Sequence, residues 1–190
     1  SGDQARKWSV LAPLADIWVI GFAVGLRPRR FTQIARFYLL PQLPLALLRH
    51  LTMFAFAPLV VLWIVVRHRV RVIIAQSPYE GAIGALVKNI VRVFGLRLAL
   101  VIENHGDFEV SIFQQRRVVS ISLYKRMMSA AVEYAFRHVD VLRAVSGMTL
   151  DQVTAFAPGK PIYQFMAWTD SVAFQGSARS CPLSMTHDVI

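Results

Sequence analysis

His105, Asp107 and Glu109 place an imidazole and two carboxylates in one short segment, at the end of the stretch 97–109, RLALVIENHGDFE. An imidazole in that position can hydrogen-bond a hydroxyl, stabilise developing charge or relay a proton. Asp107 or Glu109 can orient the ring or accept the proton of an attacking hydroxyl. Gly106 between them permits unusual backbone geometry. The same residues also fit an aspartate capping a turn and a histidine packed against a sheet edge, and their spacing leaves both readings open. The chemical reading needs this segment to follow a strand, because open α/β sheets bind ligands outside the carboxyl ends of their strands.

The surrounding pattern supplies such strands. Residues 17–24, 70–75, 98–102, 141–145 and 162–165 are short runs rich in β-branched and aromatic residues, and buried parallel strands need not alternate. Between them, 80–94 carries Ile83, Leu86, Val87, Ile90, Val91 and Phe94 at helical spacing, with Gly95 as its C-terminal stop. Helices are also expected over 122–138 and 149–156, and a short amphipathic one over 31–40, after a loop at 25–30. This order predicts an α/β fold: a doubly wound, Rossmann-like parallel sheet with helices on both faces. The domain is expected to span 1–174, with 175–190 as a tail or linker lacking any period.

Ser77 is a sound N-cap, with Pro78 at the first helical position and Glu80 at the third. That is the ordinary physics of a helix start, but helix N-termini also attract phosphate. Thr149 followed by Gln152 is a second possible capping box. Ser146 lacks the elbow of a nucleophilic serine, and His138 and Asp140 read as structural. Arg116, Arg117, Lys125 and Arg126 form a basic cluster that suits a phosphate, a lipid head group or plain solvation. No P-loop, dinucleotide fingerprint, zinc-protease or D-x-D motif occurs, so no metal site and no tightly bound cofactor are expected.

Charge is unevenly spread. The chain has 21 Lys and Arg against 11 Asp and Glu, a formal charge of +10, yet is 55% hydrophobic with mean hydropathy +0.47. Between Asp16 and Glu80 there is no acidic residue, whereas Arg27, Arg29, Arg30, Arg36, Arg49, Arg67, Arg69 and Arg71 all fall there. This basic, apolar half suggests an anionic membrane surface as partner. Nucleic acid, the rival partner for such charge, lacks a recognisable reading motif. The run 51–66, LTMFAFAPLVVLWIVV, would rise about 24 Å as a helix, short of a bilayer core of about 30 Å, and carries Pro58. It fits a buried crossover helix, an interfacial helix or a span. Cys181 is the only cysteine, which excludes an intramolecular disulfide and agrees with a reducing compartment. No signal peptide is evident, and a cytoplasmic protein peripheral to the membrane is expected.

Four segments together resemble the N-terminal domain of the retaining glycosyltransferases of family 4. They are 72–81 (VIIAQSPYEG), 100–109 (LVIENHGDFE), 134–147 (YAFRHVDVLRAVSG) and 161–174 (PIYQFMAWTDSVAF). The resemblance implies one half of a GT-B fold, the half that binds the acceptor of a sugar from a nucleotide-activated donor. It implies a reacting-sugar role for His105, with Glu109 in the same loop, and donor-phosphate contacts near Gly21 and Gly25. In that family the nucleotide is held mainly by a C-terminal domain with a basic pair and paired glutamates. Nothing after Phe174 matches it, so a partner chain carrying a donor-binding domain is the expected supplement, and the nucleotide sugar would be a substrate only then. The family's proline-asparagine-glycine-valine-aspartate turn is also altered, to Ala167, Trp168 and Thr169 before a retained Asp170. A non-catalytic binding or structural subunit that keeps the fold is the alternative these departures favour.

Overall fold

Four short runs of branched and aliphatic residues assemble into one parallel sheet, because a helix between each consecutive pair carries the chain back to start the next strand in the same direction. The computed structural model describes residues 9, 11–23, 25–43, 46–107 and 121–164. The sheet consists of β4 (Val72–Ala75), β5 (Ala99–Asn104), β6 (Val141–Ala144) and β7 (Ile162–Gln164), hydrogen-bonded in that sequential order and all parallel. The connecting helices are α2 (Pro78–Val93), α3 (Ile121–His138) and α4 (Gly147–Phe156). A parallel sheet flanked by helices is the α/β architecture expected from the strand and helix order.

The core lies on one face of this sheet. Ile73 and Ala75 of β4, Leu100 and Ile102 of β5, and Leu142 and Ala144 of β6 point into it, with Met128, Ala135 and Phe136 of α3 and Val153 of α4. Gly81 and Gly84 let α2 lie directly on the strands. A Cβ at Gly81 would stand 2.5 Å from Ile102 Cδ1 and 2.9 Å from Ile102 Cγ1, and one at Gly84 would stand 2.6 Å from Leu100 Cδ1. Val72, Ile74 and Tyr163, on the opposite face, are exposed. Among the described residues, therefore, the expected helical cover is complete on one face of the sheet.

Local chemistry sets the helix ends. Ser77 caps α2 by accepting the Glu80 N–H at 3.3 Å, with Pro78 in the first turn. Gly95, at φ +75, closes the same helix in a Schellman arrangement: its N–H reaches the Arg92 carbonyl and that of Leu96 the Val91 carbonyl. The cap of α4 is Ser146, in a reciprocal box with Thr149, where Thr149 and Gln152 had been the expected pair. Ser146 fits because it is the last extended residue, and its side chain accepts the Thr149 N–H at 3.2 Å.

Asp140 extends the ladder by one position ahead of β6. Its N–H donates to the Leu100 carbonyl at 3.0 Å, while its carboxylate accepts the Leu100 N–H at 2.7 Å and the Lys88 ammonium at 2.6 Å. Partial burial works to raise its pKa, but these hydrogen bonds and the charges of Lys88 and Lys160 prevail and hold it below the usual aspartate value. The structural reading of Asp140 is thereby given its cause.

The N-terminal part differs from expectation. β1 (Trp18–Phe22), β2 (Arg29–Thr32) and β3 (Arg36–Leu40) form a separate three-stranded sheet of order β1-β3-β2. β1 runs parallel to β3, and β2 pairs with β3 antiparallel. The helix predicted over 31–40 is corrected by this hairpin, and the loop predicted over 25–30 holds for 25–28 but gives way to β2 at Arg29. Its apolar residues satisfy a helical face and a strand equally, and the strand prevails because Phe31 stacks on Phe37 across the ladder at 4.7 Å while β1 offers β3 a second edge. α1 (Ala46–His68) then leads into β4, with Arg49 and Pro58 inside it.

Gly81→Ala is expected to destabilise the domain by about 1–3 kcal/mol, since Ile102 must move in a packed core. Gly147→Ala, where a Cβ meets nothing within 4 Å, is expected to be neutral or to gain up to about 1 kcal/mol. Urea titrations of both variants measure the difference, and equal losses would mean that α2 does not rest on the sheet as described.

Candidate functional site

The carboxyl ends of β4, β5 and β6 bring three polar segments to one edge. Glu103, the penultimate residue of β5, is buried although charged, and so requires partners. Its register neighbour on β6 is Arg143, whose guanidinium pairs with Oε1. His105 lies two residues on, and its Nε2 stands 3.1 Å from Oε2. One carboxylate thus bridges a guanidinium and an imidazole, from inside the sheet edge outward. Glu103 is 4% exposed in its side chain and His105 is 44% exposed, so the imidazole is the member that faces solvent.

A second set runs alongside. Asn104, also buried, donates to Gln152 Oε1 at 3.3 Å, and Gln152 Nε2 donates to Asp107 Oδ1 at 3.0 Å. Gln152 belongs to α4, so the loop after β5 is tied to the helix after β6. This arrangement combines parts of the two readings of the sequence: Asp107 is held by a partner, and His105 is oriented by a carboxylate. The orienting group is Glu103, however, and not Asp107.

The third segment is the start of α2. Glu80 accepts the Gln76 N–H at 3.0 Å and is close enough to His105 to feel its charge. Although the residue as a whole is exposed, protein crowds its carboxyl, and this desolvation raises its pKa above the ordinary glutamate value. The Gln76 N–H and the field of His105 offset part of the rise. Ser77 is committed to its cap, which leaves its hydroxyl as part of a helix start next to the edge.

Gly21 and Gly25 belong elsewhere. Gly21 is an ordinary ladder residue of β1, paired with Leu39, and Gly25 forms the bend after that strand at φ +108. Gly21 sits in the three-stranded sheet and Gly25 in the connection between its first two strands, and neither takes part in the hydrogen-bonded framework around His105. Glu109 lies outside the described residues. Among the described residues no group of three His, Cys, Asp or Glu side chains is disposed to hold a metal.

Sequence reasoning missed Glu103, Asn104 and Arg143. Glu103 carried a usable signal, a charge at the end of an otherwise apolar buried strand, which must be neutralised by something nearby. Arg143 had none, because only strand register makes it the partner. No protein-family model matches this chain, and no curated protein is found to be significantly similar to it.

Two outcomes test the framework. Removing either member of the buried pair, by Glu103→Gln or Arg143→Met, is expected to cost about 3 kcal/mol, and the double variant less than the sum by 1 kcal/mol or more. Additive losses in denaturant titrations would show that the two do not interact. Glu80, with its pKa raised in the fold, binds a proton that the unfolded chain has already released. Its contribution to stability therefore falls as pH rises from the ordinary glutamate range through the folded value. Glu80→Gln is expected to remove that fall, so its stability relative to the unmodified protein should climb over the same interval; parallel pH profiles would contradict this.

Proposed function

We propose that this chain is the acceptor-binding half of a nucleotide-sugar-dependent glycosyltransferase, working with a donor-binding domain supplied by the same or another polypeptide. The observation that carries the reading is the exposed His105 imidazole, backed by the buried Glu103 carboxylate at the carboxyl end of a central parallel strand. Open α/β sheets bind their ligands at this edge. Around it stand the Asp107 carboxylate, the Gln152 amide and the Glu80 carboxyl, a mixture of donors and acceptors suited to hydroxyl groups that both give and take hydrogen bonds. The four segments that resemble the family 4 glycosyltransferases include this edge.

In this reading the acceptor sugar or alcohol lies against the loop after β5. Glu103 fixes the ring orientation of His105 through one nitrogen, leaving the other for the substrate. His105 then hydrogen-bonds the reacting sugar or draws the proton from the acceptor hydroxyl, and Asp107, steadied by Gln152, grips a neighbouring hydroxyl. Glu109 completes the loop in the family pattern. Transfer itself requires the donor nucleotide to be held opposite, which is the task of the second domain.

The test uses the assembly that contains a donor-binding domain. His105→Ala is expected to lower sugar transfer by about 100-fold or more, with unchanged thermal melting and retained acceptor binding. Acceptor glycosides added to the isotope-labelled protein should shift the resonances of His105, Asp107 and Gln152 first. Full transfer by the His105→Ala variant would sink the catalytic reading. Glycoside binding without transfer in any assembly would favour a non-catalytic sugar-binding subunit.

A further inference from the structure

From Met53 to Val66 α1 is apolar around its whole circumference, but only one side of it is packed. Met53, Ala57, Ile64 and Val65 are buried, and the first, second and last of these join the cores beneath α2. On the other side Leu48, Leu51, Phe56, Leu59, Trp63 and Val66 are each 40–63% exposed. At 3.6 residues per turn these six fall within an arc of about 140° and along about 27 Å of helix. α1 is long and apolar enough to cross a bilayer by length and composition, but its inner side is already committed to the protein core. A helix half sunk in its own domain is suited to lie on a surface and not to pass through one.

The surroundings of the stripe are basic and aromatic. A groove of about 300 Å³ runs between the helix and the small sheet, lined by Arg29, Arg30, Tyr38, Leu40 and Val60 among others. From it an aromatic row follows the helix: Tyr38 meets Trp63 edge-on at 5.9 Å, Trp63 meets His68 at 6.0 Å, and His68 stacks on Trp18 at 4.9 Å. Arg30 lies over the Tyr38 ring at 5.0 Å and Arg36 over Trp18 at 5.2 Å. Arg27, Arg67, Arg69 and Arg71 are exposed at the margins, and no acidic residue occurs between Asp16 and Glu80 to neutralise them. Among the described residues, two buried polar atoms in this row, Tyr38 Oη and Trp18 Nε1, have no hydrogen-bond partner.

We propose that this face docks on an anionic lipid bilayer, with α1 lying in the plane of the interface. The stripe from Leu48 to Val66 enters the boundary between head groups and acyl chains. Trp63 sits at the head-group level, where amphipathic rings are favoured. The arginines meet lipid phosphates around the stripe, Arg30 from its place over the Tyr38 ring. A bilayer fits better than a protein partner because the charge is of one sign and spread around the apolar stripe, matching a laterally uniform negative surface over an apolar interior. This inference is independent of the sugar-transfer reading.

The test is flotation of the full chain with phosphatidylcholine vesicles, with and without phosphatidylserine. Co-flotation with the anionic vesicles, at least tenfold above the neutral ones and reversed by high salt, is expected. The paired variant Leu59→Glu with Trp63→Glu should abolish flotation, and Arg29→Gln with Arg30→Gln should weaken it about tenfold or more. Because a charged variant can misfold, the unmodified protein provides a second readout. Brominated lipids should quench its tryptophan emission, and Trp63→Phe should remove most of that quenching. Equal flotation with neutral vesicles, no flotation, or quenching that survives Trp63→Phe would each overturn the proposal. So would a dimer in sedimentation that the Leu59 and Trp63 substitutions dissociate without any lipid binding, since a second copy would then be the occupant.

Discussion

Close approach of α2 to the strands is the constraint around which this domain is organised. Gly81 and Gly84 remove the side chains that would hold the helix away from Leu100 and Ile102, so its axis settles directly onto β4 and β5. Val87 and Val91, both fully buried, continue the same contact toward the helix end. α1 packs on one side of α2, and α3, through Met128, Val132 and Ala135, on the other. A bulkier residue at either glycine would displace the one element that all these layers share. The Schellman closure at Gly95 matters for the same reason, because it turns the chain back at the correct depth to start β5.

The polar edge depends on that packing. Because α2 starts where β4 ends, its first turn delivers Ser77 and Glu80 to the carboxyl side of the sheet, next to the loop after β5. Parallel register then places Glu103 opposite Arg143, and period-two geometry puts His105 on the same side as Glu103. A buried ion pair contributes little net stability, since desolvation offsets much of its attraction. Its effect here is orientation: the carboxylate has both oxygens engaged, one on a guanidinium and one on an imidazole whose outer side meets solvent. The neighbouring amide relay from Asn104 through Gln152 to Asp107 holds the loop in a similar way.

The same economy does not apply to α1. Part of the apolar composition stays uncovered on this helix, whose outer side carries Leu51, Phe56, Leu59, Trp63 and Val66. The aromatic row linking Tyr38, Trp63, His68 and Trp18 joins this helix to the small sheet, so the basic residues of β2 and β3 frame the stripe. The polar edge and the apolar face are thus built from different segments of the chain.

The amino-acid sequence determined most of the main domain by itself. Strands at 72–75, 99–104, 141–144 and 162–164 were legible because buried parallel strands are unbroken apolar runs, and α2 because Ile83, Val87, Ile90 and Val91 recur at helical spacing around definite stop and start residues. Ser77 as a cap and His105 as a residue beyond a strand end followed from local rules alone. What the sequence could not determine was every feature that depends on which strand lies beside which. Residues 29–40 satisfy helix and strand alike, and the presence of β1 as a neighbour decided for strand. The separation of the N-terminal strands into their own sheet, the choice of Glu103 over Asp107 as partner of His105, and the role of Arg143 all arise from register between segments distant in the chain. Local spacing carries the preferences of a segment for its own backbone, but the pairing of a buried charge is set by proximity in space, and only the folded chain decides that.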